Sequence, residues 1–220
     1  MTEIRRVLIW SGWLRLSHWV IALSSAALLI SGWLIANSPI HATAAVEYHY
    51  LAASGLIFGL VLRAIMFFRG KPHEQLSALF PQPDEFRAIK QTLFFYLSLA
   101  KQRLPRWYAH NPLWKLVYVF VYVVLLLLLF SGWLADEYPV MLGFYLPGVH
   151  AFWADFIAWF VLFHLLGLFV HDYYAKTTDI SAMINGYRLY EVEVRQESAE
   201  GTIVQVQPMA SLLKKKDDDT

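Results

Sequence analysis

Four stretches of this chain are long and apolar enough to cross a bilayer, and two of the three connections between them contain no basic residue at all. The stretches run roughly Trp13–Ala36, His49–Phe68, Leu113–Ala135 and Pro147–Tyr173. A helical crossing needs about 20 residues at about 1.5 Å each. Neither Asn37–Tyr48 nor Asp136–Leu146 holds a Lys or Arg. All 18 basic residues lie in the N-terminal stretch, at the exit of the second span, in the 70–111 loop, at the start of the third span or in the C-terminal tail. The positive-inside rule then places both termini and the central loop in the cytoplasm.

The expected fold is an all-α integral membrane protein, a four-transmembrane-helix bundle with N-in/C-in topology. Residues 1–12 form a cytoplasmic N-terminus, 13–176 the membrane domain with its cytoplasmic loop 70–112, and 177–220 a cytoplasmic tail. Arg5 and Arg6 before an apolar run, with Ala42-Thr43-Ala44 beyond it, have the outline of a signal peptide. The run far exceeds the usual h-region of about 7–15 residues, which argues for a retained helix. Eighteen basic against seventeen acidic residues give a net charge of +1, so no bulk charge points to nucleic acid.

Within the central loop, Pro83-Asp84 is expected to start a helix, with Asp84 as cap. Phe86, Ile89, Leu93, Phe94, Leu97 and Leu104 then follow at helical spacing, opposite Lys90, Lys101 and Arg103. Such a helix suits the inner membrane surface or a partner subunit. In the tail, the alternation of Tyr190, Val192 and Val194, then Val204 and Val206, suggests a small hairpin. Leu29-Ile30-Ser31-Gly32-Trp33-Leu34 is echoed by Leu129-Phe130-Ser131-Gly132-Trp133-Leu134. The echo reads as a shared way of ending a helix, small residues for close packing and then an interfacial Trp, or as the trace of a helix-pair duplication.

The chain has no cysteine, which excludes disulfides, iron–sulfur clusters held by thiolate and thioether-linked haem. It has eight histidines, and ionisable residues within a membrane are costly enough to suggest function. His150 and His164 are 14 residues apart on the fourth span, so they share a face about 21 Å apart. His49 opens the second span at the outer level of His150. His18 and His164 both fall about 25 Å below the outer boundary. Depth thus pairs His49 with His150 and His18 with His164, and two stacked imidazole pairs suggest two b-type haems with no open site for oxygen chemistry. Small residues near them, Ala22, Ser25, Ala52, Ala53, Gly55 and Gly59, would leave room for porphyrins or serve plain helix packing. Arg63 lies 14 residues after His49 on the same face, where it would meet a haem propionate or snorkel to the surface. Arg15 and Lys115 are shallower candidates. His171, two turns beyond His164, would handle protons near a quinone or simply sit at the interface. His41, His73 and His110 fall in loops, where solvation is the default.

Arg15-Leu-Ser-His18-Trp19, His110-Asn111-Pro112-Leu113, His150 with His164, and Ile180-Ser-Ala-Met-Ile-Asn-Gly186-Tyr-Arg188 resemble the bacterial di-haem cytochrome b family over about residues 7–190. That group includes the b-type cytochrome subunits of nickel–iron hydrogenases, the gamma subunits of formate dehydrogenases and bacterial cytochrome b561. The resemblance implies a multi-pass protein of the bacterial cytoplasmic (inner) membrane carrying two haem b. Its partners would be an extracytoplasmic redox enzyme subunit, such as a hydrogenase small subunit or a similar iron–sulfur or haem protein, and quinone, either menaquinone or ubiquinone. It implies the same two histidine pairs and, loosely, a quinone region around His164, Arg15 and His171. The hydrogenase type looks nearest. The remaining alternatives are a free-standing cytochrome b561-type quinone oxidoreductase and a haem-free transporter moving protons on histidine.

Overall fold

The computed structural model describes residues 2–174 and 178–193. Its frame is four long helices, α1 (Gly12–Asn37), α2 (Ala42–Arg69), α4 (Pro112–Ala135) and α5 (Leu146–Tyr174), each apolar and long enough to cross a membrane. At 24 to 29 residues they are about 36–44 Å long, more than the hydrocarbon core of about 30 Å requires. Few of their residues are buried, because the outer faces are meant to meet lipid, which is as apolar as leucine.

Helices α1 and α2 pack along their length as one antiparallel hairpin, and α4 and α5 as another. Gly59 shows why the first hairpin is close. A Cβ there would lie 2.8 Å from Cγ1 of Ile21 and 3.1 Å from its backbone nitrogen. Gly55 likewise faces Ser24. These two small residues therefore serve helix packing, whereas Ala22 and Ser25 line the space between the hairpins. Midway along the bundle, Leu56, Val121, Val124, Leu125 and Ile157 join the two halves in one apolar cluster.

Helix α2 starts at Ala42, seven residues before the expected start. The run Ala42-Thr43-Ala44-Ala45-Val46 has no helix breaker, and only Ser38–His41 are needed for the turn. His49 accordingly lies two turns into α2 instead of at its head. At the far end of the second hairpin, β2 (Val140–Met141) and β3 (Phe144–Tyr145) form a short antiparallel pair. Both turn residues have positive φ, 52° at Leu142 and 81° at Gly143, as a tight hairpin of the right twist demands.

The opposite, basic end is closed by everything else. Strand β1 (Thr2–Leu8) pairs antiparallel with β4 (Tyr187–Glu193), so the two ends of the described chain meet. The pairing is one the sequence does not suggest; of the expected tail hairpin, Val194 and Val204–Val206 lie outside the described residues. Helix α6 (Asp179–Asn185) precedes β4 and ends on Gly186, φ 90°, the left-handed C-cap that glycine adopts without strain. Its carbonyl accepts hydrogen bonds from the amides of Ile9 (2.9 Å) and Trp10 (3.1 Å).

The central loop folds onto the same end. Glu74, fully buried, accepts from the amides of Ser11 (2.7 Å) and Lys71 (3.0 Å). Helix α3 (Phe86–Leu97) forms as expected but starts differently. A short 3-10 turn, Pro83–Glu85, precedes it, and the Glu85 carboxylate, not Asp84, accepts from the Gln82 amide at 2.8 Å. The helix stops at Leu97 and the chain reverses through Leu99 and Ala100, both at positive φ, so Leu104 is not part of it. Thr92 and Phe95 are buried, while Phe86, Leu93, Phe94 and Leu97 remain exposed. One face thus packs on the bundle, and the other stays apolar and exposed, open to lipid or to a partner subunit.

Candidate functional site

The two hairpins contribute one partner each to two imidazole pairs. His18 from α1 faces His164 from α5 with ring centres 6.4 Å apart. His49 from α2 faces His150, also from α5, at 6.2 Å. The first pair lies towards the basic end of the bundle and the second towards the β2–β3 hairpin. A metal held in line between two imidazoles sits about 2.0–2.1 Å from each nitrogen, with each ring centre roughly 1.1 Å farther, so the ring centres stand about 6.3 Å apart. Both pairs have that span.

The His49–His150 pair is braced by a device that the sequence reading assigned to packing. Ser31 Oγ lies 2.9 Å from Nδ1 of His49, and Ser131 Oγ 3.1 Å from Nδ1 of His150. These serines occupy matching places in the two halves of the internal echo. The glycine after each leaves room for the ring: a Cβ on Gly32 would meet His49 Cε1 at 3.6 Å, and one on Gly132 would meet His150 Cε1 at 3.0 Å. The repeated Ser-Gly is therefore a seat for an imidazole as well as a close-packing surface. Trp33 and Trp133 that follow are exposed, as interfacial residues would be.

Around the His18–His164 pair a cavity of about 400 Å³ opens between the hairpins. Trp10, Leu14, Ser17, Tyr118 and Phe160 contribute to its walls, and Arg63, His110, Asn111 and Arg188 supply polar groups. Asn111 is placed by local chemistry. As N-cap of α4, before Pro112, it accepts from the Leu113 amide through Oδ1 at 3.0 Å. Among the described residues its Nδ2 is buried without a partner, as is Nε of Arg188. Buried donors left unspent on a cavity wall suit a carboxylate-bearing ligand.

Arg63 is buried, not snorkelled. It donates through Nε to the Tyr122 hydroxyl (3.1 Å) and through one terminal nitrogen to the Glu74 carbonyl (3.0 Å), and it stacks on Phe67. Neither acceptor is anionic, so its charge remains on the cavity wall. Arg15 donates to the Ile184 carbonyl of α6 and is not among the lining residues; it ties α1 to the tail motif. Lys115 is held by Glu85 at 2.6 Å.

Of the three loop histidines, only His41 is exposed, bound to Ser38. His73 contacts the Ile9 carbonyl at 2.6 Å and packs against Trp10 and Tyr108. His110 sits between Trp10 and Tyr118 at the cavity, and desolvation, reinforced by Arg63 and Lys115, pushes its pKa down to about 3. Their expected solvation fails because the 70–111 loop folds back over the bundle instead of standing off in water.

His171 is buried at the foot of the cavity. Trp114 Nε1 donates to the Tyr96 hydroxyl at 2.8 Å, which lies 2.5 Å from Nε2 of His171. Its Nδ1 is 3.9 Å from Asp179, and Asp179 is bound to Arg188. Burial raises the Tyr96 phenol to about 12, so it stays protonated beside His171. Nothing in the sequence singles out Tyr96, Asp179 or Asn111 individually, though Asn111 belongs to a motif that carries the resemblance.

The family model described as prokaryotic cytochrome b561 matches residues 9–186, and the chain belongs to that family. It is thus a multi-pass prokaryotic membrane cytochrome, and the family implies b-type haem. No curated protein and no solved structure matches the chain.

Proposed function

We propose that the chain holds two haem b groups, one between His49 and His150 and one between His18 and His164, and connects an extracytoplasmic redox partner with quinone. The observation that carries this reading is the pair of ring separations, 6.2 and 6.4 Å, both suited to bis-imidazole ligation. Bound there, such a group supplies one-electron redox chemistry with little ligand movement. The chain's own residues supply orientation and charge. Asn111, Arg188 and Arg63 offer donors to propionates of the inner group. The apolar cluster between the two pairs keeps water out of the middle of the bundle.

The quinone site, for menaquinone or ubiquinone, falls at the basic end around His171. Tyr96 and His171 form a hydrogen-bonded relay for protons there, with Asp179 beside the imidazole. The basic end faces the cytoplasm by the charge rule. The partner, a nickel–iron hydrogenase small subunit or a similar iron–sulfur or haem protein, then meets the β2–β3 end. Arg15, as a tether of the tail motif, supports the quinone region without lining it.

The test is spectroscopic. Purified protein should show a reduced b-type α band and two haems per chain. His49→Ala or His150→Ala should remove one haem and leave the other. Colourless protein would leave the transporter alternative standing, and equal loss of both haems would contradict the pairing. Co-purification of a redox subunit in mild detergent separates a complex subunit from a free-standing quinone oxidoreductase.

A further inference from the structure

We propose that Ser31 and Ser131 are positioning residues that fix the tautomer of His49 and His150 and hold the outer haem at a lower potential than the inner one. The proposal rests on the di-haem reading and adds to it an assignment of what the repeated Ser-Gly does.

The argument begins with one proton. The Ser31 hydroxyl lies 2.7 Å from the Ala27 carbonyl and 3.2 Å from that of Leu28, so its single hydrogen is directed into its own helix. What Oγ then turns towards Nδ1 of His49, 2.9 Å away, is a lone pair. Nδ1 must carry the hydrogen. Ser131 repeats the arrangement, with its hydroxyl on the Leu128 carbonyl at 3.2 Å and Nδ1 of His150 at 3.1 Å. With Nδ1–H anchored on the neighbouring helix of the same hairpin, Nε2 on the far side of each ring is the unprotonated ligand atom turned towards the other hairpin.

A ligand imidazole that donates its other N–H is a stronger base, and a stronger base favours ferric iron. Among the described residues neither His18 nor His164 has such a partner. Beside that pair stands Arg63, bonded among the described residues only to neutral groups, whereas the charge of Arg188 is balanced by Asp179. Positive charge disfavours the more highly charged ferric state. Both asymmetries act in the same direction: low potential at the outer site, higher at the inner, downhill from a partner at the β2–β3 end towards quinone at the basic end.

The test is a potentiometric titration of the full-length protein in detergent, followed at the α band, for Ser31→Ala, Ser131→Ala and the corresponding Ser→Thr variants. Wild type should give two one-electron waves, and His49→Ala identifies the outer one by its loss. In each Ser→Ala variant the lower wave should rise by about 59 mV, a tenfold change in ferric preference for a one-electron couple, while the upper wave stays. The Thr variants, which keep the hydroxyl, should restore the wild-type value. Selective loss of the outer haem in Ser→Ala, rescued by Thr, also supports the proposal. It is overturned if both waves move together, if the upper wave moves, if neither moves with both haems bound, or if both haems are lost. Wild-type protein lacking two haems would instead refute the di-haem reading itself.

Discussion

Gly132→Ala is the sharpest single perturbation of the outer site, because its counterpart Gly32→Ala is a built-in control. A Cβ at position 132 would lie 3.0 Å from Cε1 and 3.3 Å from Nδ1 of His150. Comfortable contact between such atoms is about 3.5–4.0 Å. The ring must therefore retreat by roughly half an ångström, and its hydrogen bond to Ser131, already 3.1 Å, would lengthen. Overpacking of this kind costs about 1–3 kcal/mol, equivalent to about 5–150-fold weaker retention of whatever His150 ligates. At position 32 the same methyl would meet His49 at 3.6 and 3.9 Å, an ordinary contact. Replacing a mid-helix glycine there gains about 0.5–1 kcal/mol of helix stability, so Gly32→Ala should be neutral or slightly stabilising. Haem-to-protein ratio after detergent purification, with thermal unfolding followed at the α band, measures both. The reasoning fails if Gly32→Ala is as damaging as Gly132→Ala, or if Gly132→Ala leaves the outer haem fully bound.

Three further outcomes are expected. Glu85→Gln leaves the Lys115 ammonium, 8% exposed, without its carboxylate, and should lower unfolding stability by about 1–3 kcal/mol; Lys115→Met in the same background should recover much of it, and unchanged melting of the single variant would count against a structural ion pair. His110 is neutral in the fold, with its pKa pushed from 6.5 down to about 3 by burial. Unfolded chains take up this proton below about pH 6.5 and folded ones do not, so stability falls as pH drops from there towards 3; His110→Asn should flatten the acid limb of melting temperature against pH. Tyr96→Phe removes the hydroxyl that joins Trp114 to His171; quinone reduction should slow while the α band stays intact, and an unaltered rate would dismiss the proposed proton path.

Much of this protein is written in local features of the chain. Hydrophobicity over about 20 residues and the segregation of Lys and Arg depend on no long-range contact, so four spans and their shared basic end could be read directly. Histidine depth follows from helical rise, so counting from span ends sets His18 level with His164; His49 still meets His150 although α2 begins seven residues before the start its sequence indicates. Lateral neighbours are another matter. Ser31 and Ser131 looked like packing residues because nothing along the chain says that His49 and His150 will lean on them. His110 looked solvated because its loop position does not reveal that residues 70–111 fold back over the bundle. The pairing of Thr2–Leu8 with Tyr187–Glu193 joins segments at opposite ends of the described chain, and a strand's own alternation cannot name its partner. Periodicity determines which way a side chain points and how deep it lies; only the assembled helices and loops decide what it touches, and here those contacts assign each imidazole its hydrogen-bond partner and the cavity its unspent donors.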